Sequence, residues 1–261
     1  MKGVILAGGK GTRMFPLTHA TNKHLLPVYD QPMVFYPIQT LVNAGVTSVL
    51  IVTGDVHAGH FINVLKNGKE LGLTHVEYGY QEGGSLGIAD ALKYAEDFAD
   101  GENIAVILGD NTTDEDISEP VKNFNDGATI FLKKVIDPER FGNPEFDKAD
   151  PAKIIHITEK PTQPLSDYAV TGLYLYDHTV YDKIRQLKPS GRGELEITDI
   201  NNAYLAEGKL TWAELKGFWS DAGTFHSLYR SGRYWARKKL GVSYDEVVAG
   251  NEVPETIHQA V

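Results

Sequence analysis

The chain has 261 residues, 42% hydrophobic and 23% charged, enough to bury a core as one large domain or two small ones. A formal net charge of −10 argues against general nucleic-acid binding, which needs a basic surface that releases counterions. The absence of cysteine excludes disulfides, thiolate metal sites and cysteine nucleophiles and fits the reducing cytoplasm, and no stretch approaches the roughly eighteen apolar residues of a membrane span.

The first strand is expected over Gly3 to Ala7; its apolar run stops at Gly8-Gly9, too soon for a signal peptide. Directly after it comes Leu6-Ala7-Gly8-Gly9-Lys10-Gly11-Thr12-Arg13. Glycines at 8, 9 and 11 remove Cβ atoms, so backbone N–H groups can turn inward around phosphate oxygens, and Arg13 adds a cation of fork geometry. The spacing matches neither G-x-G-x-x-G nor a P-loop, and a glycine-rich turn without a ligand is the plain alternative. The irregular, proline-bounded stretch from Pro16 to Val28 carries Lys23, a phosphate ligand or a solvated loop charge with equal weight on spacing alone.

Helices are then expected over Pro32 to Ala44, Ile62 to Glu70, Leu86 to Phe98 and Ser118 to Phe124, alternating with strands over Ser48 to Thr53, Ile104 to Leu108 and Ala128 to Val135. That alternation reads as a βαβ array on a mainly parallel sheet. His57-x-x-His60 has helical spacing but no third ligand nearby and reads as solvated. Gly83-Gly84-Ser85-Leu86-Gly87 formally matches the G-x-S-x-G nucleophile elbow of serine hydrolases. Gln81-Glu82 intervene where the strand should run straight into the first glycine, which disfavours it. The strand over Ile104 to Leu108 ends in Gly109-Asp110-Asn111, where a carboxylate is well placed for a metal because open α/β sheets bind ligands at the carboxyl ends of their strands; a turn cap is the alternative.

From Asp137 the composition changes to proline- and glycine-punctuated short strands, an α+β section. It contains a strand ending in Glu159-Lys160-Pro161, a long strand over Tyr168 to Tyr176, helices near Thr179 to Leu187 and Thr198 to Ala206, a strand near Lys209 to Leu215, and a helix over Phe225 to Lys239. Asp221 lies just before that last helix, where an N-cap is its plain role. The expected organisation is a single domain over residues 1–241, with halves 1–136 and 137–241, and a polar, acidic tail over 242–261.

Taken together, Gly8-Gly9-Lys10-Gly11-Thr12-Arg13 and Lys23-His24-Leu25-Leu26-Pro27-Val28-Tyr29-Asp30-Gln31-Pro32-Met33 make the chain resemble the sugar-1-phosphate nucleotidyltransferases, and within them the glucose-1-phosphate thymidylyltransferase branch. The resemblance runs from about residue 3 to about residue 240. It implies an α/β fold: a Rossmann-like, mixed and mainly parallel sheet with helices on both faces, and an α+β half that binds the sugar. It also implies that Leu6, Gly8, Gly9, Gly11, Thr12, Arg13, Gln81, Gly87 and Asp110 bind the nucleotide, with Gln81 on the pyrimidine edge.

By the same resemblance Asn111, Gly142, Glu159, Lys160, Val170, Thr171 and Gly172 bind the sugar phosphate, Asp110 and Asp221 hold Mg²⁺, and Arg13, Lys23 and Lys160 carry the chemistry. The implied reaction is in-line attack of glucose 1-phosphate on the α-phosphorus of dTTP, giving dTDP-glucose and pyrophosphate. UTP in place of dTTP, another nucleotide–sugar pair and a non-catalytic nucleotide-sugar binder are the alternatives. A homodimer is one admissible assembly. The chain is expected to stop short of the extra C-terminal helices with which longer members build an allosteric site and a tetramer contact.

Overall fold

A computed structural model describes residues 1–54, 57–83 and 86–241. Ser85 and the tail at 242–261 lie outside the described residues. The strands are β1 (Lys2–Leu6), β2 (Pro27–Val28), β3 (Gln31–Pro32), β4 (Ser48–Thr53), β5 (His75–Tyr80), β6 (Ile104–Leu108), β7 (Asn111–Thr113), β8 (Ala128–Lys134), β9 (Gly142–Phe146), β10 (Ile154–Glu159), β11 (Tyr168–Tyr176), β12 (Leu210–Glu214) and β13 (Trp219–Asp221). The helices are α1 (Phe35–Asn43), α2 (Ala58–Leu65), α3 (Ile88–Leu92), α4 (Glu96–Ala99), α5 (Ser118–Asn123), α6 (Val180–Gln186), α7 (Ile197–Ala206) and α8 (Phe225–Leu240).

Strands β5, β4, β1 and β6 pair in parallel and form the parallel part of a mixed sheet, with β5 at its edge. Next to β6 stands β11, which runs antiparallel to it and to β8 on its other edge, and β12 pairs in parallel with β8. Only the second half of β11, Leu173 to Tyr176, pairs with β6. Its first half meets the β9–β10 hairpin through Val170 and Gly142, so one strand carries two neighbours along the same edge. The register on β8 slips between Val170 and Tyr174, a bulge that re-aims the backbone at Gly172.

Both faces of the sheet are buried, as the unbroken apolar runs require. Val4, Leu6, Leu50, Val52, Ile104 and Val106 point into one core, beneath α3, α4, α6 and α7. Ile5, Val49, Ile51, Ala105 and Ile107 point into the other, which takes in Ile38 and Leu41 of α1 and Phe61 and Leu65 of α2. The alternation is the period-2 consequence of strand geometry. Each core draws residues from before and after residue 137.

Local chemistry shortened several expected elements. Helix α1 begins at Phe35 rather than Pro32, because Gln31–Pro32 is used in a two-residue ladder with Pro27–Val28. The helix expected over Ile62 to Glu70 is α2, which stops at Leu65. Lys66 takes a positive φ of 50°, Gly68 one of 69°, and only a 3-10 turn follows at Lys69–Leu71. The segment expected as one helix over Leu86 to Phe98 is α3, a 3-10 turn at Lys93–Ala95, and α4. Strands β5, β7 and β13 join the set read from the apolar runs. Helix α8 carries its own signals: Thr224 and Ser227 form a capping box, and Gly241 closes it in the left-handed conformation.

Candidate active site

A cavity of about 330 Å³ opens above the carboxyl ends of β1 and β6, the position at which open α/β sheets bind ligands. The expected residues Leu6, Gly8, Gly9, Arg13, Lys23, Gln81, Gly87, Asp110, Asn111, Gly142, Glu159, Lys160, Val170, Gly172 and Asp221 all line it. Gly11, Thr12 and Thr171 do not. Gly11 sits behind the loop at a φ of 61°, where a Cβ would stand 3.0 Å from Thr18 and 3.2 Å from Lys23. Thr12 is exposed at the start of a 3-10 turn, and the Thr171 hydroxyl, fully buried, donates to the Phe131 carbonyl on β8.

The charged groups converge on one point from three parts of the chain. A Cβ built on Gly223 would stand 3.1 Å from Asp110 Oδ2, 3.3 Å from Arg13 Nη2 and 3.9 Å from Lys23 Nζ. Asp110 and Asp221 are brought alongside each other by the ladder of β7 and β13, in which Asp221 faces Asn111 and the Ala222 amide donates to the Asp110 carbonyl. Lys23 Nζ lies 2.6 Å from Asp110 Oδ2. Burial alone would push the Asp110 carboxyl up, but Lys23, aided by His24 and Asn111, holds it well below the usual carboxylate range.

Asp221 is the opposite case. Burial and the neighbouring Asp110 charge raise its carboxyl to about 6, despite Arg140, Arg13 and Arg230. Its Oδ2 accepts from Arg140 at 2.9 Å, while its buried Oδ1 has no hydrogen-bond partner. Two carboxylates of opposite electrostatic bias, one with an orphaned oxygen, suit a hard divalent cation that takes only one or two protein ligands and completes its shell with water and phosphate. Among the described residues no group of three or more His, Cys, Asp or Glu side chains could hold a metal.

The end of β10 presents Glu159 and Lys160 to the same cavity. Thr198 donates to Glu159 Oε2 at 2.6 Å, and Lys160 Nζ and Arg192 Nη2 lie 3.4 and 3.6 Å from Glu159 Oε1. Lys160 is exposed and holds a φ of 44°, unfavourable for a side-chain-bearing residue, stabilised by its amide donating to the Phe141 carbonyl and by Pro161 beyond. Asn111 is engaged at both ends of its amide: Oδ1 accepts from the Gly172 amide and the Trp219 indole, and Nδ2 donates to Asp110 Oδ1. It thereby ties β7, β11 and β13 together at the cavity. A Cβ at Gly172 would stand 2.6 Å from Leu108 and 2.8 Å from Asn111 Nδ2, which is why glycine is needed there.

Sequence reasoning gave no role to His24 or Trp219, both of which line the cavity. His24 is buried on the cavity wall, its Nδ1 2.7 Å from Asn22 Oδ1, and burial next to Lys23 lowers its pKa to about 3, so it is a neutral polar wall. A histidine inside a proline-bounded loop carries no sequence signal of burial. Arg140, which also lines the cavity, bridges Asp137 at 2.6 Å and Asp221. Among the described residues no helix is long and apolar enough to cross a membrane.

A protein-family model described as nucleotidyl transferase matches residues 2–237. A relative from Neisseria meningitidis serogroup A / serotype 4A, named glucose-1-phosphate thymidylyltransferase, is 41% identical over 240 residues, spanning 90% of this chain and 82% of its own length. One of the same name from Xanthomonas campestris pv. campestris is 42% identical over 239 residues, spanning 89% and 80%. Among solved structures, a protein from Bacillus anthracis assigned as a glucose-1-phosphate thymidylyltransferase, in complex with a sucrose, superposes with a TM-score of 0.84 at 48% identity, covering 91% of this chain and 95% of that one. A UDP-glucose pyrophosphorylase complexed with UDP-glucose shares the fold alone, with a TM-score of 0.78 at 22% identity, covering 91% and 98%. With the family model spanning nearly the whole described chain, the conclusion is direct: this chain belongs to the nucleotidyl transferase family.

Proposed function

We propose that the chain transfers the nucleotidyl group of dTTP to glucose 1-phosphate, releasing pyrophosphate and leaving dTDP-glucose. The observation that carries this reading is the convergence of Arg13, Lys23 and Asp110 around Gly223, with Lys160 lining the same cavity. The named relatives support the choice of substrates. The group of Arg13, Lys23 and Asp110 is suited to a triphosphate, and Lys160 with Glu159 to a sugar phosphate.

In this mechanism an oxygen of the sugar phosphate attacks the α-phosphorus. A new P–O bond forms, the bond to the bridging oxygen breaks, and pyrophosphate leaves with the electron pair. The nucleophile is already anionic near neutral pH, so no general base is required. Lys160 orients it, Glu159 receives sugar hydroxyls, and Arg13 with the amides of the Gly8–Gly9 turn takes up charge on the departing pyrophosphate. Lys23 exchanges Asp110 for phosphate oxygens. When bound, Mg²⁺ held by Asp110 and Asp221 supplies further charge neutralisation at the phosphates. Preorganised donors of this kind account for a few kcal/mol of barrier each, so Arg13→Ala is expected to lower kcat on the order of a hundredfold. Steady-state pyrophosphate release checks it, and near-normal turnover would contradict the role.

The reading as a whole is tested by measuring pyrophosphate release across a panel of nucleoside triphosphates and sugar 1-phosphates, with and without magnesium. Release is expected with dTTP and glucose 1-phosphate and only when the metal is present. No release with any pair would support a nucleotide-sugar binder instead. UTP is the second reading, because Gln81 addresses an edge that thymine and uracil share and the 5-methyl group alone is worth only about 1 to 3 kcal/mol. Direct competition between dTTP and UTP decides between them. We place the protein in the cytoplasm, on its freedom from cysteine, and a homodimer is the assembly that light scattering is expected to report.

A further inference from the structure

Behind the cavity wall, next to Gln81 and Ala91 that line it, lies a buried carboxylate that the proposed chemistry does not use. Asp90, on α3, is 2% exposed and flanked by Ala89, Ala91 and Leu92 of the apolar core. Burying a charged group there is unfavourable unless its partners compensate. It has two. Lys93 Nζ lies 2.5 Å from Oδ1, and Gln81 Nε2 donates to Oδ2 at 2.7 Å. The ammonium of Lys93, itself half-exposed, neutralises the carboxylate from the solvent side.

An ionised carboxylate accepts hydrogen bonds and donates none. Whatever faces Asp90 Oδ2 must therefore be the amino end of the Gln81 amide, and the carbonyl end is forced the other way. Gln81 is itself only 5% exposed, and its backbone is fixed by its amide donating to the Thr53 carbonyl at 2.7 Å. Its Oε1 accepts no hydrogen bond from the described residues and lies on the side of Gly8, where a Cβ would meet it at 2.9 Å. The glutamine is thus a polarised reader with its acceptor pinned in place.

We infer that Asp90 is a specificity-determining positioning residue: by locking the Gln81 amide with its oxygen free, it selects a nucleobase that offers a ring imide N–H, thymine or uracil, against cytosine. Thymine and uracil carry N3–H, which Gln81 Oε1 accepts. Cytosine carries a bare N3 acceptor at that position, so acceptor meets acceptor and a buried polar group is left unpaired. Rejection of that kind is far stronger than the discrimination conferred by one methyl group. The inference rests on the proposed reading in which Gln81 faces the base.

The test is Asp90→Asn. Lys93 needs an acceptor, so the asparagine keeps its oxygen toward Lys93 and turns its amino group toward Gln81, which must then reverse. The kcat/KM ratio of dTTP to dCTP is expected to fall by about tenfold or more, with dCTP gaining in absolute terms. The ratio of dTTP to UTP should stay within about threefold of the parent, since both bases carry the same imide edge. Lys93→Met keeps the carboxylate acceptor and is expected to preserve the dTTP to dCTP ratio while lowering thermal stability. Should Asp90→Asn fail to fold, Asp90→Ser, whose hydroxyl donates or accepts, is read by the same ratio and by nucleotide-induced shifts in Tm.

An unchanged dTTP to dCTP ratio in the variant that folds, or an equal loss with both nucleotides, would overturn the inference. Failure of the underlying reading looks different: the parent enzyme itself would not distinguish dTTP from dCTP, or Gln81→Met would leave nucleotide choice untouched.

Discussion

Asp110→Asn is expected to abolish most turnover and to destabilise the chain at the same time. The substitution removes a carboxylate that the proposed chemistry assigns to the metal, an effect on the order of a hundredfold to a thousandfold in kcat. It also leaves the Lys23 ammonium, whose side chain is 14% exposed, without the anion 2.6 Å away. Orphaning one member of a buried ion pair costs about 3 kcal/mol or more, because the remaining charge stays desolvated. The folded-state pKa of Asp110 lies below its ordinary value, so its contribution to stability is present above the unfolded pKa near 3.8 and is lost as pH falls toward the native value. Denaturant unfolding at pH 7.5 and at pH 3.5 checks this: the gap between parent and variant should narrow at the lower pH, and a gap independent of pH would sink the assignment.

Asp221→Asn is expected to lose activity to a similar degree while making the metal-free protein more stable. This carboxyl titrates near 6 in the folded chain against an ordinary value of 3.8, so the fold favours its protonated form. Its contribution is fully present below pH 3.8 and is lost as pH rises through 6, a change of up to about 3 kcal/mol at 1.36 kcal/mol per pH unit. Asparagine removes that titration, keeps an acceptor for Arg140, and should recover about 1 to 2 kcal/mol at pH 7.5 and little at pH 4. A stabilising substitution that destroys activity is the signature of a group held in a strained electrostatic state for function. Thermal unfolding in chelator, repeated with magnesium and dTTP, supplies the readout. The parent should gain more than the variant from the additions, and a variant less stable than the parent in chelator would refute the argument.

The opposite behaviour of two adjacent acids shows what was legible beforehand and what was not. Asp110 could be read from the chain because it follows an apolar strand and the C-terminal ends of parallel strands are where such sheets bind ligands. Asp221 could be reached only by family resemblance. It meets Asp110 through β7 and β13, three residues each, too short to show a period, and the ladder joins segments far apart in sequence. Strand β5 escaped the apolar-run reading for a related reason: it lies at the end of the sheet, its faces are half-exposed, and Gly79 interrupts the β-branched pattern. The glycine-rich turn was legible as a local pattern, Lys23 only as one of two equal readings, and Glu159 and Lys160 only through the family resemblance. The pairing of Arg140 with Asp221 and of Asp90 with Gln81 was not, since nothing in a linear string marks which charge a guanidinium or an amide will meet.

The forked edge of β11 has a consequence for how this architecture changes its choice of acceptor. The segment bearing Glu159 and Lys160 is tethered beside Val170, whereas β6, which leads to Asp110 at the end proposed for the triphosphate, pairs with the stretch from Leu173 onward. A shift of the hairpin's open end, where Gly142 pairs with Glu159, would therefore reshape the pocket proposed for the sugar while the residues proposed to take the departing pyrophosphate kept their places. One continuous strand acts as a ruler between donor and acceptor, and it lets the two halves of the substrate pair be tuned independently.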